Sequence, residues 1–79
     1  MSAKQLSNKE KEYILKFGKK VILLREKQDI TQKELAEKIG TSRMHMYRIE
    51  SGQVEVGLVF VKRIADVLGV QVYELAAED

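Results

Sequence analysis

The chain has 79 residues, 44% hydrophobic and 33% charged, which suffices for one globular domain with a modest core and leaves nothing for a second. With no cysteine and a single histidine, His45, it excludes a disulfide framework, a thiolate zinc site, a cysteine nucleophile and a multi-histidine metal site. The net charge of +2 is polarised: residues 1–27 carry +5, residues 31–63 carry +2, and residues 64–79 hold four acids and no base, a distribution that suits a polyanion on one face.

Residues 1–7 are expected to form a mobile N-terminal tail ahead of a single domain over residues 8–79. The first residues lack the apolar core of a signal peptide, and no apolar run approaches the roughly 20 residues of a membrane span, so the expected compartment is the cytoplasm. Ser7-Asn8-Lys9-Glu10 has the form of a capping box. It predicts a first helix from Asn8 to about Gln28, with Ile14, Phe17, Val21 and Leu24 on the inward stripe. Asp29 then stands where glycine is usual after a helix end, and aspartate tolerates the left-handed backbone better than most residues.

Thr31-Gln32-Lys33-Glu34 forms a second capping box, and Ile30 can pack on Leu35 as a hydrophobic staple. Leu35, Ala36 and Ile39 point inward from a short helix that Gly40 ends. Ser42 caps a third helix, with Met46 and Ile49 inward and Gly52 at its end. A helix, a tight glycine-containing turn and a second short helix make the helix-turn-helix pattern. From Val54 to Val61 a strand is an alternative, because Val54-Glu55-Val56 alternates. Leu58, Val61, Ile64, Ala65 and Leu68 keep helical spacing, however, and Gly69 follows as a stop, so a helix is predicted over residues 58–68. A short last helix is expected over residues 71–77, with Val72 and Leu75 as its apolar points. The expected fold class is all-α.

Several segments together carry a family resemblance: Phe17-Gly18-Lys19-Lys20-Val21, Leu24-Arg25-Glu26-Lys27, the run from Ile30 to Gly40, Ser42-Arg43, Arg48-Ile49-Glu50-Ser51-Gly52 and the run from Ile64 to Val70. They resemble the Cro and phage-repressor type (XRE) of helix-turn-helix DNA-binding domain, over about residues 17–75 without a gap. The resemblance implies a compact five-helix, lambda-repressor-like domain without a cofactor. It further implies a sequence-specific transcriptional regulator, with repression favoured over activation, that binds an operator in double-stranded DNA as a homodimer. Val56, where the family usually has proline, and Gly57, where serine or threonine usually caps the fourth helix, depart from the pattern.

In a helix-turn-helix the second helix lies in the major groove while the first crosses the phosphate backbone. With Met46 and Ile49 inward, the outward positions are Arg43, Met44, His45, Tyr47 and Arg48. Arg43 and Arg48 can each offer a bidentate fork to guanine, Met44 can cover a thymine methyl, and His45 can donate or accept at a base edge. The resemblance places base readers at Arg43, Met44, His45 and Arg48. Two alternatives stay open: Arg48 paired with Glu34 or Glu55, and Met44 filling a gap in the core.

Gln32 resembles the family's phosphate-clamping glutamine. Tyr47, Ser51, Gln53 and Lys62 are further candidate phosphate contacts. Residues 51–53 would use main-chain N–H groups there, and Arg63 would add charge. Lys19, Lys20 and Lys27 fit a solvated helix face equally well. Arg25 and Glu50 match a family ion pair that ties the first helix to the end of the reading helix. Ile22, Leu23, Val59 and Phe60 lie off the inward stripes. Val59, Phe60, Val72 and Tyr73 are therefore the candidate dimer surface, with Phe60 as core padding the alternative. A different class of function is an antitoxin or adaptor-type module with a protein partner. An enzyme is disfavoured, because Glu34, Glu37, Glu50 and Glu55 pair with no nucleophile or metal ligand; no membrane partner is expected.

Overall fold

The computed structural model describes residues 5–78. Residues 1–4 of the expected tail lie outside the described residues, and Ser7 is already engaged as a helix cap. Five helices follow: α1 (Asn8–Lys27), α2 (Gln32–Ile39), α3 (Arg43–Glu50), α4 (Leu58–Leu68) and α5 (Val72–Ala76). No strand occurs among the described residues; residues 54–57 belong to the loop into α4.

The helix starts follow from side chains that satisfy otherwise unpaired backbone N–H groups. The Glu10 N–H donates to Ser7 Oγ at 3.1 Å while the Ser7 N–H donates back to Glu10 Oε1 at 2.8 Å. Thr31 and Glu34 repeat the arrangement at 3.0 and 2.9 Å. At α3 the His45 N–H donates to Ser42 Oγ at 3.0 Å. The N-cap of α4 is Gly57, which has no side chain to offer.

The helix ends share one device. After α1, α2, α3 and α4 a residue turns left-handed; its own N–H reaches back to the carbonyl three residues earlier and the next N–H to the carbonyl five residues earlier. Asp29, at φ 55°, is the only non-glycine in that role among the described residues. Two long side chains add to these ends: Gln28 Nε2 donates to the Leu68 carbonyl at 2.8 Å, and an Arg63 guanidinium nitrogen donates to the Ile39 carbonyl at 3.0 Å.

The core is Phe17 and Val21 from α1, Leu35, Ala36 and Ile39 from α2, Met46 and Ile49 from α3, Ile64, Ala65 and Leu68 from α4, and Leu75 from α5. Burial of such side chains, worth about 1.5–3 kcal/mol for each large one, holds the short helices, which are too brief to persist alone. Ile14 on α1 is half-buried, and Leu24 is half-buried and packed against the core. Leu58 departs from expectation: counted among the inward residues of α4, it is 85% exposed. As the first residue of the helix it sits a full turn beyond Val61, where the inward stripe meets its neighbours.

Candidate nucleic-acid interface

The α2–α3 pair is built around one internal rule: α3 is anchored from behind by fully buried Met46 and Ile49. Helical geometry, at about 100° per residue, then confines Arg43, Met44, Tyr47 and Arg48 to one outward arc. All four are exposed. Met44 is 57% exposed, which rules out the core-filling role, and Tyr47 is 50% exposed. Neither the Arg43 nor the Arg48 side chain makes an ion pair or hydrogen bond with any described residue, so Arg48 is not paired with Glu34 or Glu55. Both guanidiniums therefore keep all their donors for an external acceptor.

His45 differs from the exposed position expected of it. It sits at the margin of the arc and is half-buried. Its Nδ1 lies 2.7 Å from Thr41 Oγ1, and its ring meets Phe60 edge-on, with centroids 5.4 Å apart and planes at 74°. The cause is non-local, since α4 carries Phe60 across to the side of α3. Thr41 was not singled out in the sequence, although its i,i+4 spacing to a histidine at a helix start was a readable signal.

Gln32 opens α2 and is half-buried, with Nε2 donating to Glu50 Oε1 at 3.0 Å. The same carboxylate accepts from Arg25 Nε at 2.8 Å and from a second Arg25 nitrogen at 3.0 Å. A third Arg25 donor reaches the Ile30 carbonyl at 3.0 Å. Arg25, Gln32 and Glu50 are thus brought together, joining α1, the start of α2 and the end of α3. The capping box takes the Thr31 and Glu34 N–H groups and leaves those of Gln32 and Lys33 without a protein acceptor. They point out of the positive end of the α2 dipole, where anions are favoured.

The segment after α3 is corrected by the structure. The N–H groups of Ser51, Gly52 and Gln53 donate to the carbonyls of Tyr47, Ile49 and Arg48 at 2.9, 3.2 and 2.9 Å. They close the helix end and have nothing left for a phosphate. The side chains of Ser51 and Gln53 are also engaged, Gln53 Nε2 donating to Ser51 Oγ at 2.8 Å and that hydroxyl to the Tyr47 carbonyl at 2.8 Å. Lys62 forms an exposed i,i+4 pair with Asp66 at 2.6 Å, a contact weak enough to exchange. Arg63 is committed to the Ile39 carbonyl and stands 5.5 Å over the Phe60 ring.

The candidate dimer residues separate into two sets. Phe60 and Val72 are half-buried and packed on the core of their own chain. Val59 and Tyr73 remain exposed, Tyr73 at 72%, and Leu58 joins them. Among the described residues no group of acidic and histidine side chains could hold a metal ion. No helix there is long and apolar enough to cross a membrane.

The helix-turn-helix family model matches residues 21–75. No curated protein matches the sequence. Among solved structures, the restriction-modification controller protein C.AhdI from Aeromonas hydrophila is 32% identical, with a TM-score of 0.75 over 78% of this chain and 94% of that one. The clp gene regulator ClgR from Corynebacterium glutamicum is 24% identical, with a TM-score of 0.77 over 80% of this chain and 67% of its own. A hypothetical transcription factor, NHTF, from Neisseria is 22% identical, with a TM-score of 0.76 over 96% and 84% of the two chains. The last two show the fold alone; together with the family match and C.AhdI, the five-helix architecture and the exposed face of α3 lead to one conclusion. The chain belongs to the XRE-type helix-turn-helix family, a class of DNA-binding transcription regulators.

Proposed function

We propose that the protein is a repressor that grips operator DNA as a homodimer, with α3 of each copy in a major groove. The observation that carries this reading is the outward face of α3. Arg43 and Arg48 have no partner within the described chain, Met44 and Tyr47 stand between them, and Met46 and Ile49 fix the helix from behind. Arg43 and Arg48 act as bidentate readers of guanine, each good pair discriminating by about 1–3 kcal/mol. Met44 covers a thymine methyl, and Tyr47 supplies a hydroxyl to the backbone. Gln32 holds a phosphate through its main-chain N–H and the second hydrogen of its amide, the first being spent on Glu50.

The dimer forms through Val59 and Tyr73, with Leu58 added and Phe60 and Val72 supporting them from beneath. C.AhdI is a restriction-modification controller protein, and control of a promoter by occupancy is the corresponding role here. Selection from random duplexes by the full chain tests the reading, followed by a salt titration on the recovered site. A palindrome, with affinity falling steeply against log salt, is expected. The Arg43→Ala, Arg48→Ala double variant should lose the site. Shallow, sequence-blind binding that ignores those substitutions would mean that the ligand is a protein and the chain an adaptor.

A further inference from the structure

The Thr41, His45, Phe60 and Arg63 cluster does something that the outward face of α3 alone does not explain: it holds the one imidazole of the chain in a defined orientation. Thr41 is itself fixed. Its N–H donates to the Ala36 carbonyl at 2.9 Å as part of the α2 end, and its branched side chain has few rotamers. The Phe60 edge lies against the imidazole, and the Arg63 guanidinium stands over Phe60 while bonded to the Ile39 carbonyl. A ring flip about χ2 would replace Nδ1 by a carbon opposite the Thr41 hydroxyl and forfeit that bond.

The protonation pattern follows from the available partners. A neutral imidazole carries one N–H and one acceptor nitrogen, and a hydroxyl can serve as donor or acceptor. The Thr41 hydroxyl has no hydrogen-bond partner among the described residues other than His45 Nδ1. If Nδ1 carried the proton, that hydroxyl hydrogen would be left without a protein acceptor. If the hydroxyl donates to Nδ1, both groups are satisfied and the ring proton sits on Nε2. His45 Nε2 has no hydrogen-bond partner among the described residues, yet no buried polar side-chain atom there lacks one. Nε2 is therefore open to solvent, next to the arc formed by Met44 and Arg48.

Resting on the DNA-binding reading above, we propose that Thr41 is a positioning residue that locks His45 in the Nε2–H tautomer. The reading helix then presents a donor at this position and selects a base acceptor, such as guanine O6 or N7, against the amino edge of cytosine. The sequence supplies a clean probe, because His45 is the only histidine. Ring-nitrogen NMR of the DNA-free full chain in alkaline buffer should show Nε2 protonated and Nδ1 bare. In Thr41→Val the two nitrogen signals should move toward each other as the tautomers mix, and Thr41→Ser should restore the parent spectrum. A protonated Nδ1 in the parent, or an unchanged spectrum in Thr41→Val, would overturn the lock.

Duplex selection then tests its use. The parent and Thr41→Ser should prefer an acceptor edge at one position of the recovered site, and Thr41→Val and His45→Ala should lose that preference by about fivefold, the worth of one neutral hydrogen bond. Preference for the cytosine amino edge in the parent, or a preference that survives in Thr41→Val, would overturn the proposal while leaving the DNA-binding reading intact. If the parent recovers no site at all, that reading fails and base selection fails with it, whatever the nitrogen spectrum shows.

Discussion

Glu50 is 3% exposed, and its two carboxylate oxygens accept three hydrogen bonds from Arg25 and Gln32. Truncating it leaves a guanidinium whose side chain is only 12% exposed facing an empty site. Removing one partner of a buried pair exposes the full desolvation cost of the other. Glu50→Ala is therefore expected to lower stability by about 3 kcal/mol in urea denaturation, and Glu50→Gln, which keeps one acceptor, by visibly less. An unchanged midpoint for Glu50→Ala would show that the network only decorates the fold. The buried partners of Arg25 could be anticipated because the residue types at positions 25 and 50 match a family pattern. The half-buried state of His45 could not, since it depends on Phe60, which reaches it from a helix whose placement no local pattern dictates. The committed N–H groups of residues 51–53 lay within reach of sequence reasoning. A glycine that ends a helix in the left-handed conformation directs its own N–H and the next one back onto the helix.

At the scale of elements, two glycines, Gly18 within α1 and Gly57 at the N-cap of α4, have opposite environments. A Cβ on Gly18 would stand 2.7 Å from the Ile49 carbonyl oxygen and closer still to that of Glu50, so α1 crosses the end of α3 at backbone contact. Gly57 has nothing within 4 Å of such a Cβ, and its φ of −65° and ψ of 151° suit any residue at an N-cap. Gly18→Ala should cost about 2 kcal/mol through forced separation of the helices. Gly57→Ser should add about 0.5–1 kcal/mol by capping α4 and restricting the unfolded chain. Thermal melts of the two variants against the parent decide both signs. The cap of α2 responds to acid instead. The Thr31 N–H and hydroxyl contacts, with a smaller contribution from Lys38, hold the Glu34 carboxyl below its ordinary value. A depressed carboxyl stabilises fully above its unfolded-state value and loses that contribution as pH falls through the folded one. Stability should thus decline on that acid limb, and Glu34→Gln should flatten part of the slope by lowering neutral-pH stability towards the value that the parent keeps in acid. The helices were legible because their caps are local, four-residue signals. Leu58 was misplaced because apolar spacing does not say where along a helix the neighbouring elements stop.

For the whole molecule the question is which face the second copy of the proposed dimer would cover. A single chain of this size buries little apolar surface, yet α4 and α5 leave Leu58, Val59 and Tyr73 in solvent, with Leu58 and the half-buried Val72 lining one groove. Residues 64–79 hold acids and no base, with Asp66 in α4, Glu74 in α5 and Glu78 after it, while the basic excess lies in residues 1–63. A dimer joined through the apolar end of α4 and through α5 would keep that acidic segment near the joint and leave both copies of Arg43 and Arg48 facing duplex grooves about 34 Å apart, one turn of DNA. Substituting Leu58→Glu and Tyr73→Glu places like charges on both sides of a two-fold contact without disturbing a buried residue. The doubly substituted chain is expected to sediment as a monomer at concentrations where the parent is a dimer, with an unchanged far-ultraviolet circular dichroism spectrum. On a palindromic site its salt slope should fall to about half that of the parent, because one copy in place of two neutralises half as many phosphates. A parent that sediments as a monomer at high micromolar concentration, or a variant that keeps both the dimer and the full slope, would place the contact elsewhere and return these three side chains to the ordinary apolar share of a protein surface.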